Sequence, residues 1–126
     1  MKGQKILTMK TKVIIFITVL VWWGCRYDKE QVGICTTSGV TYSATITGII
    51  NTYGCLNSSC HGGSTPASGF SLADYNGVKA KVTDGRLFGA ISHASGFSPM
   101  PKNAGKMSEC DIKKVKAWID AGAPNN

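Results

Sequence analysis

An all-α fold of about four short helices, preceded by a long irregular N-terminal strap, is predicted by three observations. Apolar residues recur at helical spacing in Ile46, Ile49, Ile50 and Tyr53, and again in Ile112, Val115 and Ile119. Two segments with a serine followed three residues later by an aspartate, Ser71 to Asp74 and Ser108 to Asp111, read as capping boxes that open helices. Glycine and proline punctuate the stretches between, from Gly62 to Gly69 and around Met100. At 126 residues the chain holds one small domain plus whatever its ends contribute.

The N-terminal residues read as a targeting segment. Lys2, Lys5, Lys10 and Lys12 precede an apolar run from Val13 to Trp23 that stops at Gly24-Cys25. A positive head, an apolar run too short to span a bilayer and a small residue at the break describe an export signal over residues 1–24. Gly24-Cys25 resembles the processing site of bacterial lipoproteins, although Trp22 and Trp23 stand where that pattern prefers leucine and a small residue. Cys25 is accordingly expected to carry a lipid on the mature chain; the alternative is a plain secretory signal. All four lysines are lost with the signal, which leaves ten basic against seven acidic residues, a net charge of +3 in place of +7. The basic balance is thus mostly a targeting feature. With no basic patch interleaved with aromatics, nucleic acid is not expected as a partner.

Residues 25–43 mix charge, Gly, Thr and Ser without periodicity and read as a lipid-anchored tether, with Val40 and Tyr42 offering a short extended contact. The domain is expected over residues 44–126. Its first helix, Ala44 to Tyr53, runs into the segment Tyr53-Gly-Cys55-Leu-Asn-Ser-Ser-Cys60-His61-Gly-Gly63. A second helix follows Ser71 through about Val82, weakened by Gly77. After the Asp84-Gly85 turn, Leu87, Phe88 and Ile91 line a short third helix that ends near His93. The fourth opens at Ser108, buries Ile112, Val115 and Ile119 with Trp118 on its flank, and turns Lys113, Lys114 and Lys116 largely to solvent. Gly122 and Pro124 stop it.

The ending Cys60-His61 is that of a c-type haem attachment site, where two thiols add across the vinyl groups and the imidazole binds iron. Four residues separate Cys55 from Cys60 where two are usual. The Cys-His pair is the fixed part, because the ligand must emerge beside the captured ring edge, whereas small polar residues such as Asn57, Ser58 and Ser59 can loop outward. Two alternatives remain: covalent attachment through Cys60 alone, or a Cys55–Cys60 disulfide loop without haem. Zinc needs more ligands than this cluster supplies. Met100, between Pro99 and Pro101, sits on a stiffened segment that can be neither helix nor regular strand, and is suited to supply a sixth, thioether ligand. His93 is the rival for that position and Met107 a weaker one. If Cys25 is lipidated and Cys55 and Cys60 hold haem, Cys35 and Cys110 remain, and an oxidising compartment pairs them. Asp74, Asp84, Asp111 and Asp120 read as caps and turns, not as catalytic acids or bases.

In element order, and in the segments Cys60-His-Gly-Gly63, Ser98-Pro-Met-Pro101 and Lys116-Ala-Trp-Ile-Asp-Ala-Gly-Ala-Pro124, the chain resembles the single-haem class I cytochrome c family, and more closely the small cytochrome c domains of exported Bacteroidetes and Planctomycetes proteins. The resemblance covers about Thr41 to Pro124. It implies helices around one covalently bound haem c, attached at Cys55 and Cys60, with His61 as proximal and Met100 as distal iron ligand. It implies an electron carrier with redox partner proteins and no catalytic residues, exported and lipid-anchored at the periplasmic or outer face of a bacterial membrane. Two other classes stay open: a haem enzyme subunit or gas sensor with a displaceable sixth ligand, and a haemless lipoprotein whose Cys35, Cys55, Cys60 and Cys110 form two bridges.

Overall fold

A computed structural model describes residues 34–126; the segment expected to be an export signal and the expected lipidation site Cys25 lie outside the described residues. Four helices and no strand are present among them. Helix α1 opens as a π-helical turn, Tyr42–Ile46, and runs on as α-helix over Thr47–Thr52. It starts two residues earlier than the apolar stripe implied. Tyr42 is therefore not an extended contact of the strap: its ring is buried, 5.1 Å edge-on from Tyr75 and 5.9 Å from Trp118. The free amides of this first turn are satisfied by the other end of the chain, Tyr42 donating to the Asn126 side chain (2.9 Å) and Ser43 to its main-chain oxygen (2.8 Å).

Helix α2 spans Tyr75–Thr83, and its cap is Asp74, which accepts from the Gly77 amide at 2.8 Å. The expected box at Ser71 is displaced by three residues, for the Ser71 hydroxyl instead accepts from the Ala73 amide in a local turn. Gly77 has a packing reason, since a Cβ there would collide with the Ser71 carbonyl oxygen. Helix α3, Arg86–Ser92, follows the left-handed turn at Gly85. Helix α4, Glu109–Asp120, is capped as expected by Ser108, whose hydroxyl accepts from the Asp111 amide, and it ends at Gly122 with φ +91°.

The core lies where α1 crosses α4, with Ile46, Ile49, Ile50, Val115 and Trp118 buried. Trp118 belongs to its centre and not to a flank: it is fully buried, whereas Ile119 is half-buried. The ring reaches past the Ile112–Val115 stripe to meet Tyr42, and its Nε1 donates to the Pro124 carbonyl (2.9 Å). The lysines of α4 are mostly engaged along their own helix, Lys114 with Asp111 (3.4 Å) and Lys116 with Asp120 (2.6 Å). The expected Cys35–Cys110 disulfide is present, with Cα atoms 5.4 Å apart and 75 residues of separation. It pins the strap to the start of α4. Closing a loop of that length stabilises the fold by about 4 kcal/mol on chain-entropy grounds.

A second clasp joins α1 to α4. The Tyr53 hydroxyl donates to Asp111 (2.9 Å) and accepts from the Ser108 amide (2.9 Å). Burial alone would raise the Asp111 carboxyl, but bonds from Ser108, Tyr53 and Lys114 more than offset it and hold the group below its ordinary range. Tyr53→Phe is expected to cost about 1–2 kcal/mol in urea unfolding with an unchanged denaturant slope.

Candidate functional site

After Thr52 the chain turns at Gly54, φ +64°, and closes a tight loop by hydrogen bonds to its own carbonyls. The Asn57 oxygen accepts from both the Cys60 (2.8 Å) and Gly62 (3.2 Å) amides, and the Cys55 oxygen accepts from the His61 amide (3.0 Å). Asn57, Ser58 and Ser59 are exposed, so the additional residues between the cysteines bulge outward as their small polar character suggests. Gly62 closes the loop at its tightest point, where a Cβ would overlap the Leu56 carbonyl oxygen.

This loop sets His61 inward. The residue is 8 % exposed, its carbonyl accepts from the Leu72 amide (3.0 Å), and its ring lies 4.4 Å from that of Phe70. Burial pushes the imidazole below its ordinary value, with the Phe70 backbone pulling the other way, so the ring is neutral at pH 7. Its buried Nδ1 has no hydrogen-bond partner. Such a ring is costly to keep unless it has a further partner. Cys55 and Cys60 are free, half-buried thiols, unlike Cys35 and Cys110. Burial raises the Cys55 thiol, and Cys60 adds to this, against a lowering by backbone hydrogen bonding.

The segment after α3 supplies the methionines. Met100 is fastened at both ends of its peptide unit: its amide donates to the Ala90 carbonyl (3.0 Å) and its carbonyl meets His93 Nε2 (3.0 Å). His93 is itself exposed, at the left-handed cap of α3 (φ +58°). Phe97 packs its ring on Gly89 and closes the same loop. Met100 is half-buried and Met107 almost fully buried.

Of the candidate ligands and attachment residues, all but His93 meet at one cleft of about 640 Å³, within the range of small-molecule and cofactor sites. Cys55, Cys60, His61, Met100 and Met107 line it, and its apolar wall includes Ile46, Ile49, Leu72, Ile91 and Val115. The sequence gives no sign of a further set in the lining, Lys81, Arg86 and Lys102, which come from three separate segments. Phe70 belongs to no periodic stripe, though an aromatic residue directly after a turn-rich polar loop is a usable signal. Among the described residues no group of three or more His, Cys, Asp or Glu side chains could hold a bare metal ion, and no helix is long and apolar enough to cross a membrane. The residues present fit a haem: an inward neutral imidazole with an unpartnered nitrogen, two unpaired thiols beside it, thioethers in the same cleft and an apolar wall. Comparison of the chain with protein-family models, with characterised proteins and with solved structures gives no match.

Proposed function

We propose that this domain is a single-haem c protein of the class I cytochrome c type that transfers electrons outside the cytoplasm, anchored by a lipid at Cys25. The observation that carries the reading is the meeting of Cys55, Cys60 and His61 with Met100, from the far side of α2 and α3, in one apolar cleft. When bound, haem supplies a reversible one-electron couple, and the chain supplies its surroundings. Cys55 and Cys60 would hold the ring covalently, His61 would be the neutral nitrogen ligand and Met100 the thioether, a pairing that would raise the reduction potential. The Met100 backbone is fastened at its amide and its carbonyl and His61 is buried, so both candidate ligands would be held with little movement. The isoleucines of the wall would give the ring an apolar contact surface. No acid, base or nucleophile is required: Asp74 and Asp111 are engaged at helix caps, Asp84 and Asp120 with lysines. Donor and acceptor are redox proteins of the same compartment.

The test is expression with a haem c maturation system, followed by intact mass after denaturation and by absorption spectra. One retained haem is expected, with a weak long-wavelength band from methionine bound to ferric iron. Met100→Ala should abolish that band and Met107→Leu should keep it. Cys60→Ser should lose nearly all retained haem, whereas Cys55→Ser should keep a haem on the denatured chain through a single bond. No haem on the parent chain would overturn the reading.

A further inference from the structure

The cleft is apolar over most of its wall, yet its lining holds three cationic side chains, Lys81, Arg86 and Lys102, and no carboxylate. They come from α2, α3 and the methionine loop respectively. Asp84 is the nearest anion in sequence and is committed to this set: it pairs with Lys81 at 2.7 Å and stands 3.8 Å from Arg86 Nε. Its carboxyl is held below the ordinary range by the hydrogen bond from Lys81 and by the Arg86 amide. One carboxylate among three cations leaves the set with excess positive charge. Lys102 makes no ion pair among the described residues, and Arg86 is 69 % exposed with only the long contact to Asp84. Lys81 also lies 4.8 Å over the Phe70 ring, which packs on His61, so the charge is tied to the wall of the site. The lysines of α4 differ, since Lys114 and Lys116 pair with Asp111 and Asp120 of their own helix.

An apolar cavity with a cationic, carboxylate-free lining fits a ligand that has an apolar body and an anionic edge. We propose that Lys81, Arg86 and Lys102 bind the two propionate carboxylates of the porphyrin, with Arg86 and Lys102 as the principal partners. This rests on the haem reading above and deepens it. The other titratable side chains lining the cleft are Tyr53, Cys55, Cys60 and His61, and none of them is a carboxylate.

The experiment is the pH dependence of the reduction potential of the haem-loaded chain, from about pH 4 to 8, where ionisation of an ordinary carboxylic acid near about 4.3 marks the lower end. In the parent chain the cations hold the propionate step at or below that end. In Arg86→Gln/Lys102→Gln the step should rise by about one pH unit, because the charged carboxylate has lost its partners. Because Asp84 stands beside Arg86, both proteins carry Asp84→Asn, and steps from groups that touch neither Arg86 nor Lys102 cancel in the comparison. Arg86→Lys/Lys102→Arg should keep the parent profile. Lys113→Gln/Lys116→Gln changes the net charge equally but lies outside the cleft lining, and should also leave the step in place. An unmoved step in Arg86→Gln/Lys102→Gln, or an equal movement in the α4 control, would overturn the proposal and leave the cations to an acidic partner docking at the cleft. A chain that retains no haem would remove the haem reading itself, and the proposal with it.

Discussion

Trp118→Ala is expected to remove about 3–5 kcal/mol of stability, the upper range for truncation of a buried aromatic side chain. Trp118 is fully buried, stands against Tyr42 and anchors the end of the chain through Pro124. Its loss empties the crossing of α1 and α4 and frees the segment that, through Ala123, accepts from the Tyr75 hydroxyl (2.8 Å) and, through Gly122, from Lys79 (2.6 Å). Small domains hold only about 5–15 kcal/mol in total, so the loss is a large share of the whole. Urea unfolding with the Cys35–Cys110 bridge intact measures it. Trp118→Phe, which keeps most of the packing and drops the Nε1 bond, should lose clearly less. Equal losses would mean that the hydrogen bond, not the packed ring, is the main contribution.

The same residue shows where sequence patterning stops. The stripe Ile112, Val115, Ile119 locates α4, and Ser108 with Asp111 three residues on fixes its start, because both signals are local to one helix. Trp118 occupies an equally inward position, but only the ring of Tyr42, contributed by the opposite end of the domain, makes it central. Tyr42 in turn sits in what reads as strap, since no amphipathic pattern precedes it; its burial and the Asn126 contacts come from tertiary structure. At α2, Ser71 and Asp74 are both good cap formers, and local chemistry cannot choose between them. The Cys35–Cys110 pair was legible by elimination among the cysteines. In the site, Cys60-His61 and the proline-flanked Met100 were visible as local chemistry, whereas their meeting in one cleft with Lys81, Arg86 and Lys102 depends on how α2 and α3 fold back. His93, the rival for the sixth position, is exposed and engaged with the backbone of Met100, a contact that sequence alone does not contain.

Gly62→Ala is the substitution expected to damage the site most for the least change in composition. The added methyl would overlap the Leu56 carbonyl oxygen, and backbone, not a flexible side chain, is what would have to yield. Relief requires opening the loop held by the Cys60-to-Asn57 and His61-to-Cys55 hydrogen bonds, the same bonds that set Cys60 and His61, the groups proposed to bind haem. A cost of about 3 kcal/mol is expected, with haem retention falling sharply while far-UV helicity persists, because α2, α3 and α4 do not touch the clash. Gly63→Ala separates strain from collision. Gly63 has φ +79° with open space around its Cβ position, so that variant should lose only about 1–2 kcal/mol and keep its haem. Were the two variants to retain haem equally, the tight Leu56–Gly62 approach would not be what positions His61, and the cradle would have to be sought in the Phe70 and Leu72 contacts on its other side.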